Sequence, residues 1–244
     1  MVALQSVFWE LGVDRTPRQE SSDATFSRKM PVQRGKTSPN SKDDKLTKLA
    51  TDRLLLREFA EDDWRAVLAY QSEAQYLKYS SWTRRTAEQV QAFVRGFIEW
   101  QGERPRTKYQ LAIMLRGEGR LIGNCGIRLE SADSRQANLG YEIAPGYWGE
   151  GYASEAVRAM VAFGFGELRL HRIWARCVAE NVASYRILEK VGMRREGRLR
   201  EEEWMKGRWW DTLAYSILEH EWRSRTQPDL AACAEISQSR FERS

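Results

Sequence analysis

A glycine-spaced stretch between a strand-like run and a helix is the first place in this sequence where chemistry could occur. Residues 140–155 read GYEIAPGYWGEGYASE: the strand-like run ends near Ile143, and a helical pattern begins near Ser154. Gly149 and Gly151 allow positive φ and let the backbone approach a ligand closely. The first N–H groups of a helix lack intrahelical partners and lie at the positive end of its dipole. The stretch therefore predicts either a phosphate site or a tight turn that needs glycine for its own geometry.

A hydroxyl at the head of an apolar helical stripe is the second candidate. Ser184 shares one helical face with Ile187, Leu188 and Val191, and Asn181 precedes it by three residues. This spacing is typical of a helix in which Asn181 is the N-cap and Ser184 bonds a backbone carbonyl. A catalytic hydroxyl would have the same spacing, so both interpretations stay open at this point.

Composition argues against several other kinds of site. The 244 residues are 42% hydrophobic and 30% charged, as in a soluble globular protein, and the net charge of +5 mildly favours an anionic ligand. No dense Lys/Arg run with interleaved aromatic residues is present, so no nucleic-acid partner is expected. The two histidines, His171 and His220, lie far apart, so neither a metal site nor a histidine-based triad is expected.

The cysteines and the apolar runs bear on the compartment. Cys125, Cys177 and Cys233 are widely spaced, which favours a reducing cytoplasm, and the first two are interpreted as buried small hydrophobic residues. No apolar run approaches the ~18 residues of a spanning helix, and the N-terminus lacks the basic region of a signal peptide. No membrane partner is therefore predicted.

The elements that must position these residues follow from periodicity. The pattern predicts a strand, two or three helices, three antiparallel strands, the glycine loop, and then helix, strand, helix and two strands. The strand at 173–178 should lie parallel to the one at 137–143, because a crossover helix separates them. Residues 1–45 are predicted to be a disordered extension, 46–222 the folded domain and 223–244 a C-terminal tail.

Three stretches stand out in this order of elements: WGEGYASEA at 148–156, NVAS at 181–184 followed by EKVGM at 189–193, and EGRL at 196–199 with Trp209 and Asp211 beyond. Together with the element order, they resemble the GNAT superfamily of N-acetyltransferases, and within it the RimJ/RimL type that acts on ribosomal-protein N-termini. The resemblance implies a mixed α/β (α+β) fold: a mostly antiparallel six- to seven-stranded sheet flanked by helices, with a parallel pair at the acetyl-CoA site.

The resemblance also implies acetyl-CoA as co-substrate and assigns its contacts. Loop backbone N–H groups would cradle the diphosphate, the pantetheine arm would pair with the strand ending at Ile143, and the N–H of that residue would face the thioester oxygen. The cofactor-binding residues so implied are Ile143, Ala144, Trp148, Gly149, Glu150, Gly151, Tyr152, Ala153 and Asn181.

Further roles implied by the resemblance concern proton transfer and the acceptor. Ser184 would protonate the leaving thiolate, with Tyr185, about 100° around the helix, as the competing acid. Glu203 would be the base, with Glu142 as the alternative or as a structural carboxylate. The acceptor contacts would be Trp64, Tyr79, Trp82 and Glu142, with Tyr76 nearby.

The expected reaction moves an acetyl group from acetyl-CoA to a primary amine in a ternary complex, with a protein N-terminus as the favoured acceptor. The alternatives are acetylation of a small amine, such as an aminoglycoside, polyamine or amino acid, and an acyl-CoA sensor without turnover. The protein is expected to be a monomer or homodimer. Three positions depart from the family pattern. Gly146 occupies a position that is often Gln or Arg, Leu188 occupies the position of a tyrosine that acts as general acid in many members, and Met193 replaces a frequent Phe.

Overall fold

A computed structural model describes residues 3–4 and 46–226 of the chain. The predicted extension, apart from residues 3–4, and the tail beyond residue 226 lie outside the described residues. The strands are β1 Ala3–Leu4, β2 Lys48–Ala50, β3 Leu54–Glu58, β4 Lys108–Leu115, β5 Arg120–Leu129, β6 Gln136–Ile143, β7 Arg172–Val178, β8 Arg194–Met205 and β9 Arg208–Leu218. The helices are α1 Trp64–Gln71, α2 Ala74–Leu77, α3 Ala87–Gln101, α4 Tyr152–Gly166, α5 Val182–Val191 and α6 Glu219–Thr226.

One mixed sheet organises these elements in the strand order β2-β3-β4-β5-β6-β7-β9-β8, with β1 added beside β6. Every pairing is antiparallel except β6–β7, which is parallel as predicted. The mixed α/β fold is therefore confirmed. The path contains eight strands, whereas six to seven were expected, because the three-residue β2 is too short to give a periodic signal.

Helices cover both faces of the sheet. On one face, α4 and α5 pack against the inward side chains of β5, β6, β7 and β9 in the larger core cluster. On the other, α1 and α3 enclose a second cluster rich in aromatic residues. The helix ends follow local chemistry: the capping box predicted at Thr86 and Gln89 forms, and Gly192 ends α5 at φ +101°.

The strands β6 and β7 pair only briefly before they separate. Their parallel register covers residues 136–138 of β6 and 172–174 of β7. Beyond that point β6 continues beside β5, and β7 continues beside β9. The edge of β6 that β7 leaves is where β1 pairs, with Ala3 opposite Glu142. The carboxyl end of β6 therefore has a backbone edge that lies outside the β6–β7 pairing.

Two segments are more regular than the sequence suggests. The aromatic stretch after α1, interpreted as poorly defined, contains the four-residue α2, and the segment after β9 begins with α6 at Glu219. Among the helices of the described residues, none has the length and apolar character that crossing a membrane requires.

Gly123 in β5 tests how tightly β5 and β6 approach. A Cβ at this position would lie 2.1 Å from the Glu142 carbonyl oxygen, which is backbone and cannot rotate away. We expect Gly123→Ala to lower the free energy of unfolding by about 1–3 kcal/mol, since the strands must move apart. Urea denaturation measures this. Gly197→Ala in β8 is the matched control: its Cβ would meet nothing within 4 Å, and a shift below about 0.5 kcal/mol is expected. Equal shifts in both variants would contradict the close approach.

Candidate active site

The glycine loop leads from the end of β6 into α4. A short 3-10 turn at Pro145–Tyr147 is followed by Gly149 at φ +87° and Gly151 at φ +82°, both in the left-handed region that favours glycine. Gly151 is the N-cap of α4, and no side chain caps this fifteen-residue helix. The turn therefore needs glycine for its own geometry, as the tight-turn interpretation predicted. It also leaves the first-turn N–H groups of α4 without a side-chain cap, and this arrangement fits a diphosphate.

The end of β6 is oriented by two hydrogen bonds. The Ala144 N–H donates to the Ile122 carbonyl at 2.8 Å, towards β5. Successive N–H groups of a strand point to opposite sides, so the Ile143 N–H is directed away from β5, towards the side that β7 leaves. The indole Nε1 of Trp148 donates to the Ile143 carbonyl at 2.7 Å and folds this side chain back over the strand end. β1 pairs on this same edge, so a ligand that pairs there must take the place of β1.

Ser184 lies beneath this edge on the α5 face of the sheet. The side chain is fully buried, and its hydroxyl is 3.2 Å from the Tyr141 hydroxyl. The Tyr141 hydroxyl donates to the Ser184 carbonyl at 3.0 Å, so it can accept a hydrogen bond from the Ser184 hydroxyl. Asn181 accepts a hydrogen bond from the Ser184 N–H at 3.3 Å, so the predicted N-cap is confirmed. Burial raises the pKa of Tyr141 well above its usual range, so this hydroxyl stays protonated.

The two described cysteines are buried, as predicted. Burial raises the pKa of Cys177 to about 12 and that of Cys125 further still. Both therefore remain thiols near neutral pH and are poor nucleophiles. Within residues 3–4 and 46–226, no cluster of three or more His, Cys, Asp and Glu side chains could hold a metal ion.

Glu142 lies on the opposite face of β6 from Tyr141, within a buried polar network. Only 1% of its surface is exposed, yet its Oε2 accepts hydrogen bonds from Tyr70 at 3.0 Å, Gln71 at 3.0 Å and Asn124 at 2.9 Å. Asn124 is directly across from it in β5. Burial raises the pKa of Tyr70, and the charge of Glu142 raises it further, so the phenol remains a donor. These donors supply the buried carboxylate with hydrogen-bond partners.

The network continues to an arginine in the segment before α3. The Arg85 Nε donates to the Gln71 Oε1 at 3.1 Å, and its guanidinium carbon lies 3.7 Å from the Trp82 ring centroid. Burial lowers the pKa of Arg85, while the charge of Glu142 opposes that shift. Trp82 thus lies near the Glu142 network through Arg85.

Glu203 belongs to a different group on the β8–β9 hairpin. It is half-buried and directly across from Trp210 in the antiparallel register, so both side chains lie on one face. Trp210 forms a small buried cluster with Tyr79, Val178 and Met205. Tyr79 meets the Trp210 ring edge-on at 6.1 Å and donates to the Glu180 carbonyl at 3.0 Å. Tyr79 and the strand of Glu203 are therefore brought together.

Trp64 is not brought to this group. It lies at the start of α1, seven residues or about 10 Å along the helix from Gln71, in a groove shared with Gln91 and Arg95 of α3.

Several residues of the site escape sequence reasoning. Tyr70, Gln71 and Arg85 give no local signal, because their partners are distant in the chain. Asn124 and Gln110 could have been found: each is a buried polar residue in a strand that is otherwise mostly apolar, and the two are hydrogen-bonded at 2.8 Å. An amide at such a position indicates a buried polar partner.

Known proteins similar to this chain include N-acetyltransferases. Residues 53–194 match the family described as "Acetyltransferase (GNAT) domain". YnaD of Bacillus subtilis, named an uncharacterized N-acetyltransferase, is 38% identical over 174 residues, covering 71% of this chain and 98% of YnaD. The crystal structure of a GNAT-family acetyltransferase from Bacillus anthracis is 35% identical, with a TM-score of 0.64, covering 71% of this chain and 99% of that one. Spermidine N(1)-acetyltransferase of Vibrio cholerae is 30% identical over 93 residues, covering 38% of this chain and 54% of that protein.

The Glu142 network predicts a measurable cost of removing one donor. Tyr70→Phe keeps the ring but removes the hydrogen bond to the Glu142 carboxylate, so we expect the free energy of unfolding to fall by about 1–3 kcal/mol. Tyr185→Phe, on a half-buried tyrosine of α5, is the control and should shift it by less than about 0.5 kcal/mol. Chemical denaturation of both variants decides. A Tyr70→Phe variant as stable as wild type would mean that this donor contributes little.

Proposed function

This chain belongs to the GNAT family and is an N-acetyltransferase, and we propose that it transfers the acetyl group of acetyl-CoA to the α-amine of a protein N-terminus. One observation carries the cofactor part of the proposal: the uncapped N-terminus of α4 adjoins the end of β6 at the point where β6 and β7 have separated. A diphosphate suits the first of these features, and an extended amide-bearing arm suits the second.

In this proposal the loop backbone from Trp148 to Ala153 binds the diphosphate, with Asn181 holding α5 in place beside it. The pantetheine arm pairs with β6 at Ile143 and Ala144, in place of β1. The Ile143 N–H, directed away from β5, donates to the thioester oxygen and stabilises the charge that develops there. Bound acetyl-CoA supplies the activated acetyl group.

The proton for the leaving thiolate is assigned to Ser184. The amine nitrogen forms a bond to the acetyl carbon, the carbon–sulfur bond breaks, and the sulfur takes the Ser184 hydroxyl proton. The amine gives up its proton to the base, and a proton from solvent restores the Ser184 hydroxyl after the thiol has left. Tyr141, whose hydroxyl lies 3.2 Å from that of Ser184, holds the serine oxygen in place. Leu188 at the frequent family tyrosine position has no proton to give, which is consistent with a serine acid.

Glu203 is the better candidate for the base. A base must be reached by the amine, whereas Glu142 is 1% exposed and its Oε2 already accepts three hydrogen bonds from the protein. Glu203 is half-buried on the hairpin face that carries Trp210 and Tyr79, and water reaches it. We assign Glu142 the role of a structural carboxylate that holds Tyr70 and Gln71 behind the acceptor site.

The acceptor is inferred from amine chemistry and from the resemblance to the RimJ/RimL type. An α-amine with a pKa of about 7.7–8.0 is roughly one-tenth neutral at pH 7, whereas a lysine amine at about 10.4 is less than about one-thousandth neutral. A single carboxylate base suits the first better. Aromatic side chains such as Tyr79 and Trp82 suit a peptide end. The spermidine acetyltransferase relative makes a polyamine the second candidate acceptor.

A thiol-release assay with acetyl-CoA tests the proposal. The panel contains peptides with free N-termini and no lysine, the same peptides with blocked N-termini and one lysine, and spermidine. Turnover on the free N-termini supports the proposal. Turnover on spermidine alone would contradict the proposed acceptor and identify a polyamine instead. Acetyl-CoA binding without turnover on any amine would support a sensor.

Ser184→Ala should reduce kcat by about 10²–10⁴-fold, the usual contribution of a general acid, with acetyl-CoA affinity nearly unchanged. Steady-state kinetics and calorimetry with acetyl-CoA measure the two quantities. Tyr185→Phe is the control on the same helix and should keep near wild-type turnover. The reverse pattern would assign the acid to Tyr185.

Glu203→Gln should lose most activity at pH 7 and recover part of it at pH 9, because an α-amine is then largely neutral without a base. A pH–rate profile of wild type and variant on a free N-terminal peptide gives the comparison. A deficit that is equal at both pH values would remove Glu203 from the role of base.

A further inference from the structure

Arg53, just before β3, joins the glycine loop to the first turn of α4. Its Nε and Nη2 each lie 2.7 Å from the Glu155 Oε2, and its Nη1 donates to the Glu150 carbonyl at 3.0 Å. The guanidinium also lies over the Tyr152 ring, 4.5 Å from its centroid. One side chain, about a hundred residues away in sequence, thus contacts Glu150 in the loop and both Tyr152 and Glu155 in the first turn of α4.

The hydrogen bond to the Glu150 carbonyl sets the direction of the Gly151 N–H. In a trans peptide the carbonyl of one residue and the N–H of the following residue point in opposite directions. Because the Glu150 carbonyl points to Arg53, the Gly151 N–H points away from it. A Cβ at Gly151 would lie 3.4 Å from the Arg53 Nη2, so the guanidinium also lies close to this glycine.

The charge of Glu155 would also affect an anionic ligand at the start of α4. Its carboxylate lies in the first turn of α4 and accepts hydrogen bonds from the Thr51 hydroxyl at 2.6 Å and the Arg53 N–H at 3.0 Å. Burial opposes ionisation, but these hydrogen bonds and the guanidinium lower the pKa of Glu155 overall. An unpaired carboxylate here would repel a diphosphate, whereas the pair with Arg53 is neutral.

We propose that Arg53, held by Glu155, is a positioning residue for the diphosphate: it aims the Gly151 N–H into the cradle and neutralises the carboxylate behind it. The inference rests on the proposed function, because it assumes that acetyl-CoA binds at this loop. It assigns Arg53 no contact with the reacting atoms.

Arg53→Ala should raise the KM for acetyl-CoA by about 10–100-fold, the value of one hydrogen bond to a charged group, while kcat and the KM for the acceptor stay within about twofold. Arg53→Lys keeps the charge but cannot hold Glu150 and Glu155 together, and should give an intermediate rise. Arg53→Ala/Glu155→Gln restores neutrality without orienting the amide, so it should recover only part of the loss. Arg158→Ala is the matched control: this α4 arginine bonds the Lys190 carbonyl, and its loss should leave the KM unchanged.

A truncated co-substrate separates positioning from general distortion. S-acetylpantetheine lacks the diphosphate, so its kcat/KM should be the same in wild type and Arg53→Ala, and thermal melting checks that both are folded. An unchanged KM for acetyl-CoA in Arg53→Ala would overturn this inference but not the proposed function. An equal loss of kcat/KM with S-acetylpantetheine would do the same. If calorimetry shows that wild type does not bind acetyl-CoA, the proposed function fails and the inference fails with it.

Discussion

The separation of β6 from β7 after three parallel residue pairs is the constraint on which the candidate site depends. β5 holds β6 firmly along its other side, down to a contact at Gly123 that leaves no room for a Cβ. Because side chains alternate along a strand, Tyr141 faces α5 and Glu142 faces α1. The gap between the strands therefore has a hydroxyl pair on one face and a carboxylate network on the other, with the start of α4 at its end.

A buried carboxylate such as Glu142 is costly unless its charge is fully hydrogen-bonded. Here the donors come from α1 and from β5, so the network joins a helix to the sheet as well as stabilising the anion. A carboxylate used in this way is enclosed by the protein and out of reach of an incoming amine. Glu203, by contrast, lies half-buried on the β8–β9 hairpin. The two acids are thus distinguished by their surroundings and not by their residue type.

Sequence patterns predicted the elements well because those patterns are local. The capping box at Thr86, the N-cap at Asn181 and the stop at Gly192 each depend on residues within one helical turn. The brief β2 escaped because three residues carry no period. The partners of the site escaped for another reason: Tyr70 meets Glu142 across 72 residues, and Arg53 meets Glu150 across 97. Such pairs are products of tertiary structure, and no spacing rule in one sequence identifies them.

The two edge strands of the sheet affect the tendency of the protein to aggregate at high concentration. β2 is three residues long and begins with Lys48, and β8, at the other end, carries a series of charged side chains. Several of them form ion pairs across to β7, β9 and α6, among them Arg176–Glu202, Arg194–Glu221 and Arg198–Asp211. A short edge and a charged edge both disfavour pairing with a strand of another molecule. The sheet is therefore protected against edge-to-edge aggregation at both ends.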